Sequence, residues 1–145
     1  MSKVEDFLTA AEERAIVDAI LEAEKNTSGE IRVHIEATTK QPHMDRAKEV
    51  FHLLKMDNTK AENGVLIYVA VVDKKFAIYG DRGIHKAVSE NFWDTTKNHI
   101  EQQFKQGNFK QGIIEGVLSA GRELEAHFPW NHHDTNELSN EVSKA

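Results

Sequence analysis

Asp57, Glu62, Asn63, Asp81 and Glu90 are the residues of this 145-residue chain whose types and spacing can do chemistry together. Carboxylates joined by amide and backbone carbonyl oxygens suit a hard divalent cation such as Ca²⁺, which takes about six to eight oxygens and tolerates irregular geometry. Asp81 stands in Gly-Asp-Arg-Gly, residues 80–83, where Gly80 and Gly83 let the backbone fold tightly enough to offer its carbonyls. The EF-hand loop pattern is absent, so a cation site here would be composite and non-local. The competing account is structural: Asp81 and Asn63 cap turns through their own backbone, while Glu62 and Glu90 are solvated or cap a helix start.

Other constellations carry less. "GDRGIH" is superficially like pieces of metallophosphoesterases, but an upstream Asp-x-His and a Gly-Asn-His-Glu are missing. No phosphate-binding Gly-rich loop with its Lys is present, and no Gly-x-Ser-x-Gly. Arg32 and His34 share the polar face of a strand with Glu30 and Glu36, an arrangement that can serve as an anion-binding or acid-base pair but reads first as a cross-strand charge ladder on a partly exposed face. His132, His133 and Asp134 can ligate a transition metal but sit in a polar tail.

The elements that must position the acidic cluster follow from hydrophobic periodicity. Thr9 and Glu12 form a capping box, and Ile16, Val17, Ile20 and Leu21 then recur at helical spacing, giving a helix over about 10–26. "EIRVHIEA" alternates strictly and predicts a half-exposed strand. "MDRAKEVFHLLKM" predicts a second helix with Ala47, Val50, Phe51 and Leu54 on one stripe. "VLIYVAVV" is a continuous apolar run expected of a central strand covered on both faces, and "KFAIYG" returns from it as a third. A helix capped by Ser89 carries Phe92, Thr96, Ile100 and Phe104. Another holds Ile113, Val117 and Leu124, with Gly112, Gly116 and Ala120 as a small stripe for close approach to the sheet.

This order predicts an α/β fold, a three-layer αβα sandwich around a small mixed β-sheet. Residues 1–128 are expected to form the domain and 129–145 a polar C-terminal tail, pinned at Trp130 and Leu138. A turn centred on Asp73 and Lys74 sets Asp81 opposite Leu66, within a residue or two of Asn63 and Gly64. The loop before the second strand and the turn after the third therefore meet at one end of the sheet.

Composition excludes several classes. A hydrophobic share of 39% is enough for a packed core, and a net charge of −6 without clustered Lys and Arg argues against nucleic acid as a partner. With no Cys there are no disulfides, thiolate nucleophiles or zinc ribbons. The N-terminal stretch lacks an apolar signal core and no run is long enough to span a membrane, so the expectation is a cytoplasmic protein without a membrane segment.

"SGEIRVHIE", "NGVLIYVAVVDKKFAIYGDRGIHKAV", "NFW" and "HFPWNHHDTNEL" together resemble the TPM domain family, the group that includes the thylakoid lumen acid phosphatase and photosystem II repair proteins. The resemblance runs from about Phe7 to Glu141. It implies an αβα sandwich whose crossing loops hold a divalent metal, typically Ca²⁺. The family's Asn-Gly falls on Asn63 and Gly64, its strand-end turn on residues 80–83, and its acidic helix-start residue on Glu90; Asp57 and Glu62 join them by proximity. The leading expectation is a stand-alone binding module in which the ion orders two loops, for regulation or for an unidentified protein partner. The alternatives are a metal-assisted acid phosphatase, with Arg82 or His85 helping to hold a phosphoester but no assignable catalytic residue, and a metal-independent interaction scaffold.

Overall fold

The computed structural model describes residues 7–88, 91–130 and 138–145. Ser89, Glu90 and residues 132–134 lie outside the described residues. The expected αβα sandwich is present: a four-stranded mixed sheet lies between two helical layers.

Helix α1, Ala10–Ala23, begins at the Thr9 capping box, with Thr9 N–H donating to Glu12 (3.0 Å) and Glu12 N–H to Thr9 Oγ1 (3.1 Å). A 3-10 turn, Glu24–Asn26, finishes what periodicity reads as one helix. Strand β1, Glu30–Glu36, then leads through helix α2, His43–Leu53, to strand β2, Gly64–Ala70. β1 and β2 pair in parallel, as a strand–helix–strand crossover requires. Strand β3, Lys75–Gly80, returns antiparallel with Ala70 opposite Lys75 and Val65 opposite Gly80. This register is two residues from the expected one. Val71 and Val72 do not extend the pairing of β2 with β3; they bond the carbonyls of Glu36, the last residue of β1, and Ala37 (2.9 and 2.8 Å), and the turn centre lies one residue earlier.

A short helix α3, Arg82–Ala87, follows β3 and stands apart from helix α4, Asp94–Lys105; the periodicity shows only the second. Helix α5, Phe109–His127, packs beside α4. Its small stripe serves that helix contact more than the sheet. A Cβ on Gly112 would stand 2.7 Å from the Phe104 ring and one on Gly116 2.6 Å from Ile100, against 3.8 Å from Ile67 of β2.

The sheet order is β3-β2-β1-β4, where β4 is Ser143–Lys144, parallel to β1. The expected tail thus returns to the sheet at its end, and Leu138 packs against the core as foreseen, whereas Trp130 is 48% exposed. On one sheet face α1, α4 and α5 bury Ile16, Ile20, Ile100, Ile113, Val117 and Leu124 against Ile31, Val33, Ile67 and Val69. On the other, α2 buries Ala47, Val50 and Phe51 against Leu66, Tyr68 and Ala77.

One expectation is overturned. β1 is not half-exposed: Glu30, His34 and Glu36 are 3%, 4% and 5% accessible. An interior strand has neighbours on both edges, and here α2 and the C-terminal segment cover its polar face. In place of an exposed charge ladder there is a buried network. Glu36 accepts two bonds from Arg46, both 2.8 Å, together with the Tyr68 hydroxyl and His34 Nε2 (3.1 Å).

Candidate functional site at the end of the sheet

Pairing brings three chain segments together at the edge where β1 and β2 start and β3 ends. Glu30 lies opposite Gly64, and Asp81 N–H donates to Gly64 O at 3.0 Å, so Glu30, Gly64 and Asp81 form one row across the sheet. Alternation along each strand puts all three on the α2 face, where Leu66, Tyr68 and Ala77 also lie. Gly64 contributes no side chain. The space over it is bounded by the Met56 carbonyl, 3.1 Å from where a Cβ would sit, and by Leu138 and Phe51.

Asp81 caps α3: its Oδ1 accepts from Arg82 N–H at 2.7 Å. Its other oxygen, Oδ2, is buried and has no hydrogen-bond partner, although the residue is only 5% accessible. A buried carboxylate oxygen left without a donor costs free energy unless something positive approaches it. Thr59 Oγ1, in the loop before β2, is likewise buried without a partner. Asn63 is 2% accessible; its amide Nδ2 donates to Ser28 Oγ (3.2 Å) and its backbone O accepts from Glu30 N–H (3.3 Å).

The remaining expected ligands fall differently. Glu62 has left-handed backbone (φ +51°) and pairs with Arg82 Nη2 at 3.0 Å, while its carbonyl accepts from Gly83 N–H at 2.8 Å. Asp57 is half-exposed and bonds His52 Nδ1 at 3.2 Å. The structure therefore brings Asn63 and Asp81 together, sets Glu62 beside them on Arg82, and leaves Asp57 facing His52. Among the described residues no group of three His, Asp or Glu side chains converges as a ready metal cage. The expected crossing of the two loops is explicit at Gly83. A Cβ there would stand 2.3 Å from Ala61 O and 2.5 Å from Glu62 O.

Glu30 is the residue that periodicity misses, since its alternation with Ile31 assigns it to a polar strand face. The signal was in the topology: the segments before two parallel strands lie at the same sheet end, so "SGE" must adjoin "ENG". Glu30 Oε1 accepts from Leu138 N–H at 2.7 Å, which fixes the C-terminal segment over this end. Nearby, burial pushes the Glu24 carboxyl up to about 7, against the Ile31 N–H that donates to it at 2.8 Å.

The family model of the TPM domain matches residues 1–123. The NMR structure of BA42 protein from the psychrophilic bacterium Bizionia argentinensis is 64% identical, covers 100% of both chains and superposes with a TM-score of 0.93. The N-terminal domain of a P. gingivalis protein is 19% identical (TM-score 0.69; 88% of this chain, 83% of that one). The N-terminal domain of a Corynebacterium glutamicum protein is 13% identical (TM-score 0.66; 92% and 86%). These last two share the fold. No curated protein matches the sequence.

Proposed function

Because the chain belongs to the TPM domain family, we propose that it is a divalent-cation-binding module, with Ca²⁺ the expected ion, in which the cation ties the loop before β2 to the turn after β3. The single observation that supports this most is the buried, unpartnered Oδ2 of Asp81. Glu30 and Asn63, both buried at the same sheet end, add a second carboxylate and an amide oxygen. This donor set is all oxygen, without Cys, and so suits a hard cation better than a soft one. Asp57 and Glu62 are engaged by His52 and Arg82 through one oxygen each, and Glu90 remains part of the proposal by family resemblance.

When bound, the ion would supply positive charge at the buried Asp81 oxygen that lacks a donor. The chain's own residues supply the rest: Gly83 permits the loop crossing, Gly64 lets the Met56 carbonyl approach the strand closely, and the Asp81 cap fixes the carboxylate at the start of α3. Ordering these loops is the functional output of the module, offered to a protein partner.

Calorimetric titration of chelator-stripped protein with Ca²⁺, Mg²⁺ and Zn²⁺ tests the reading, with amide shifts followed at residues 28–30, 59–64 and 80–84. Saturable binding with shifts confined to those segments is expected. Asp81→Asn keeps the acceptor for Arg82 N–H but removes the charge, and affinity should fall at least about tenfold, since ligand charge tunes Ca²⁺ sites. Unchanged affinity in that variant would remove Asp81 from the site. Turnover of p-nitrophenyl phosphate that depends on the ion and is lost in Asp81→Asn would instead favour metal-assisted phosphoester hydrolysis.

A further inference from the structure

A second feature lies away from that cluster, along the outer edge of β3. Among the described residues no strand lies beyond β3. Asp81 N–H points to Gly64 of β2, so by the two-residue alternation of an antiparallel ladder residues 75, 77 and 79 turn their polar backbone groups toward β2. Phe76 and Ile78 turn theirs outward, and no described backbone group bonds them there.

This edge opens into a groove of about 840 Å³ between the two helical layers. Phe76 and Phe104, in edge contact at 5.7 Å, form its floor on the α4 and α5 side. Met44 of α2, 44% exposed, lines the other side. Lys74, Lys75, Lys97 and Lys105 rim it against one carboxylate, Glu101. None of these four lysines has an acidic partner within ion-pair distance among the described residues. On a chain of net charge −6, four unpaired ammonium groups around one groove mark a local reversal of sign.

We propose that this groove binds an extended acidic peptide, which adds to the sheet by pairing with the free edge of β3 at Phe76 and Ile78. Side chains of an added strand alternate between the two faces. One set faces α4, where Lys97 and Lys105 select carboxylates; the other faces α2, where Met44 selects apolar groups. The recognised pattern is therefore acidic and apolar residues in alternation, with Lys74 and Lys75 drawing the acidic end to the hairpin turn. Edge lysines also deter strands from pairing indiscriminately. Lys97 and Lys105 lie on a helix, where that protective role does not apply, and they extend the cationic rim over the position an added strand would take.

The probe is an acetylated, amidated peptide of alternating Glu and Val, titrated into the full chain by NMR. Amide shifts at Phe76, Ile78, Lys97 and Lys105 are expected, with affinity falling as salt rises. Lys97→Glu with Lys105→Glu should weaken binding at least about tenfold, both sites being surface positions whose reversal leaves the fold intact by its amide spectrum. Several results overturn the proposal: no groove shifts at millimolar peptide, equal binding of the Lys-for-Glu peptide, or unchanged affinity in the double variant. The same shifts with glutamate or inorganic phosphate alone would show a small-anion site. Equal binding of a peptide N-methylated at alternate amides would show a pocket without strand pairing, and concentration-dependent shifts without peptide would show pairing between copies.

Discussion

Glu36 shows what a single buried carboxylate contributes to this fold. Burial raises its pKa, but Arg46, Tyr68 and His34 outweigh burial and hold the group at about 2. Its folded pKa is depressed, so its contribution is present above the unfolded carboxylate range near 4.5 and is lost as pH falls toward 2. Urea unfolding should show Glu36→Gln costing on the order of 3 kcal/mol at pH 7 and much less at pH 2.5. Glu24 has the opposite sign. Burial raises its pKa to about 7, so the folded protein holds a proton there that the unfolded chain has released, and stability from this group declines between about 4.5 and 7. Glu24→Gln, which keeps an acceptor for Ile31 N–H, should stabilise by about 1 kcal/mol at pH 8 and have little effect at pH 4.5. A stabilisation independent of pH would show that the carboxyl is not the cause. The role of Glu36 is not legible in the sequence, because alternation alone makes Glu30, His34 and Glu36 look solvated. What buries them is α2 and the C-terminal segment, elements distant along the chain.

At the scale of elements, the long periodic segments were legible and the short ones were not. "VLIYVAVV" announces a covered strand because consecutive apolar residues can be buried only from both sides, and six of its eight, residues 65–70, are buried in β2. β4 has two residues, Ser143 and Lys144, and exists only through its partners: Ser143 Oγ bonds His34 Nδ1 at 2.9 Å, Ala145 N–H donates to Ile35 O at 3.0 Å, and Lys144 pairs with Glu13 of α1. No local pattern encodes it. Removing residues 141–145 should uncover the edge of β1, lowering stability by about 1–2 kcal/mol and speeding amide exchange at 34–36 while leaving β3 protected. The loop crossing was legible in outline, since a strand, hairpin and return must bring residues 63 and 81 together, but the two-residue error in register moved Asp81 from opposite Gly64 to opposite Leu66. Gly83 is where the crossing is tightest. Gly83→Ala drives a Cβ into two backbone carbonyls that have little room to move, and should cost about 2–3 kcal/mol in the same unfolding experiment.

For the molecule as a whole, the sheet carries its two proposed sites in different places: an anionic cluster where β1 and β2 begin, and a cationic groove along the free edge of β3. Composition alone hides this division, because a net charge of −6 averages over both. The candidate cation site was half legible. Asn63 and Asp81 are marked by their turn residues, whereas Glu30 needed the parallel pairing of β1 with β2. The division also makes the cation reading a statement about stability. An ion that binds the folded chain alone adds RT ln(1 + [L]/Kd), about 2.7 kcal/mol at a hundredfold excess over Kd. Thermal unfolding of the chelator-stripped chain should therefore rise with added Ca²⁺ and continue to rise logarithmically past saturation. Asp81→Asn should flatten that dependence without lowering the transition of the chelator-stripped chain, since Oδ2 has no hydrogen-bond partner to lose. Lys97→Glu with Lys105→Glu should leave it intact, because Asp81 does not line the groove. A cation response lost in the lysine variant instead would couple the two sites through β3, the strand that ends in one and edges the other.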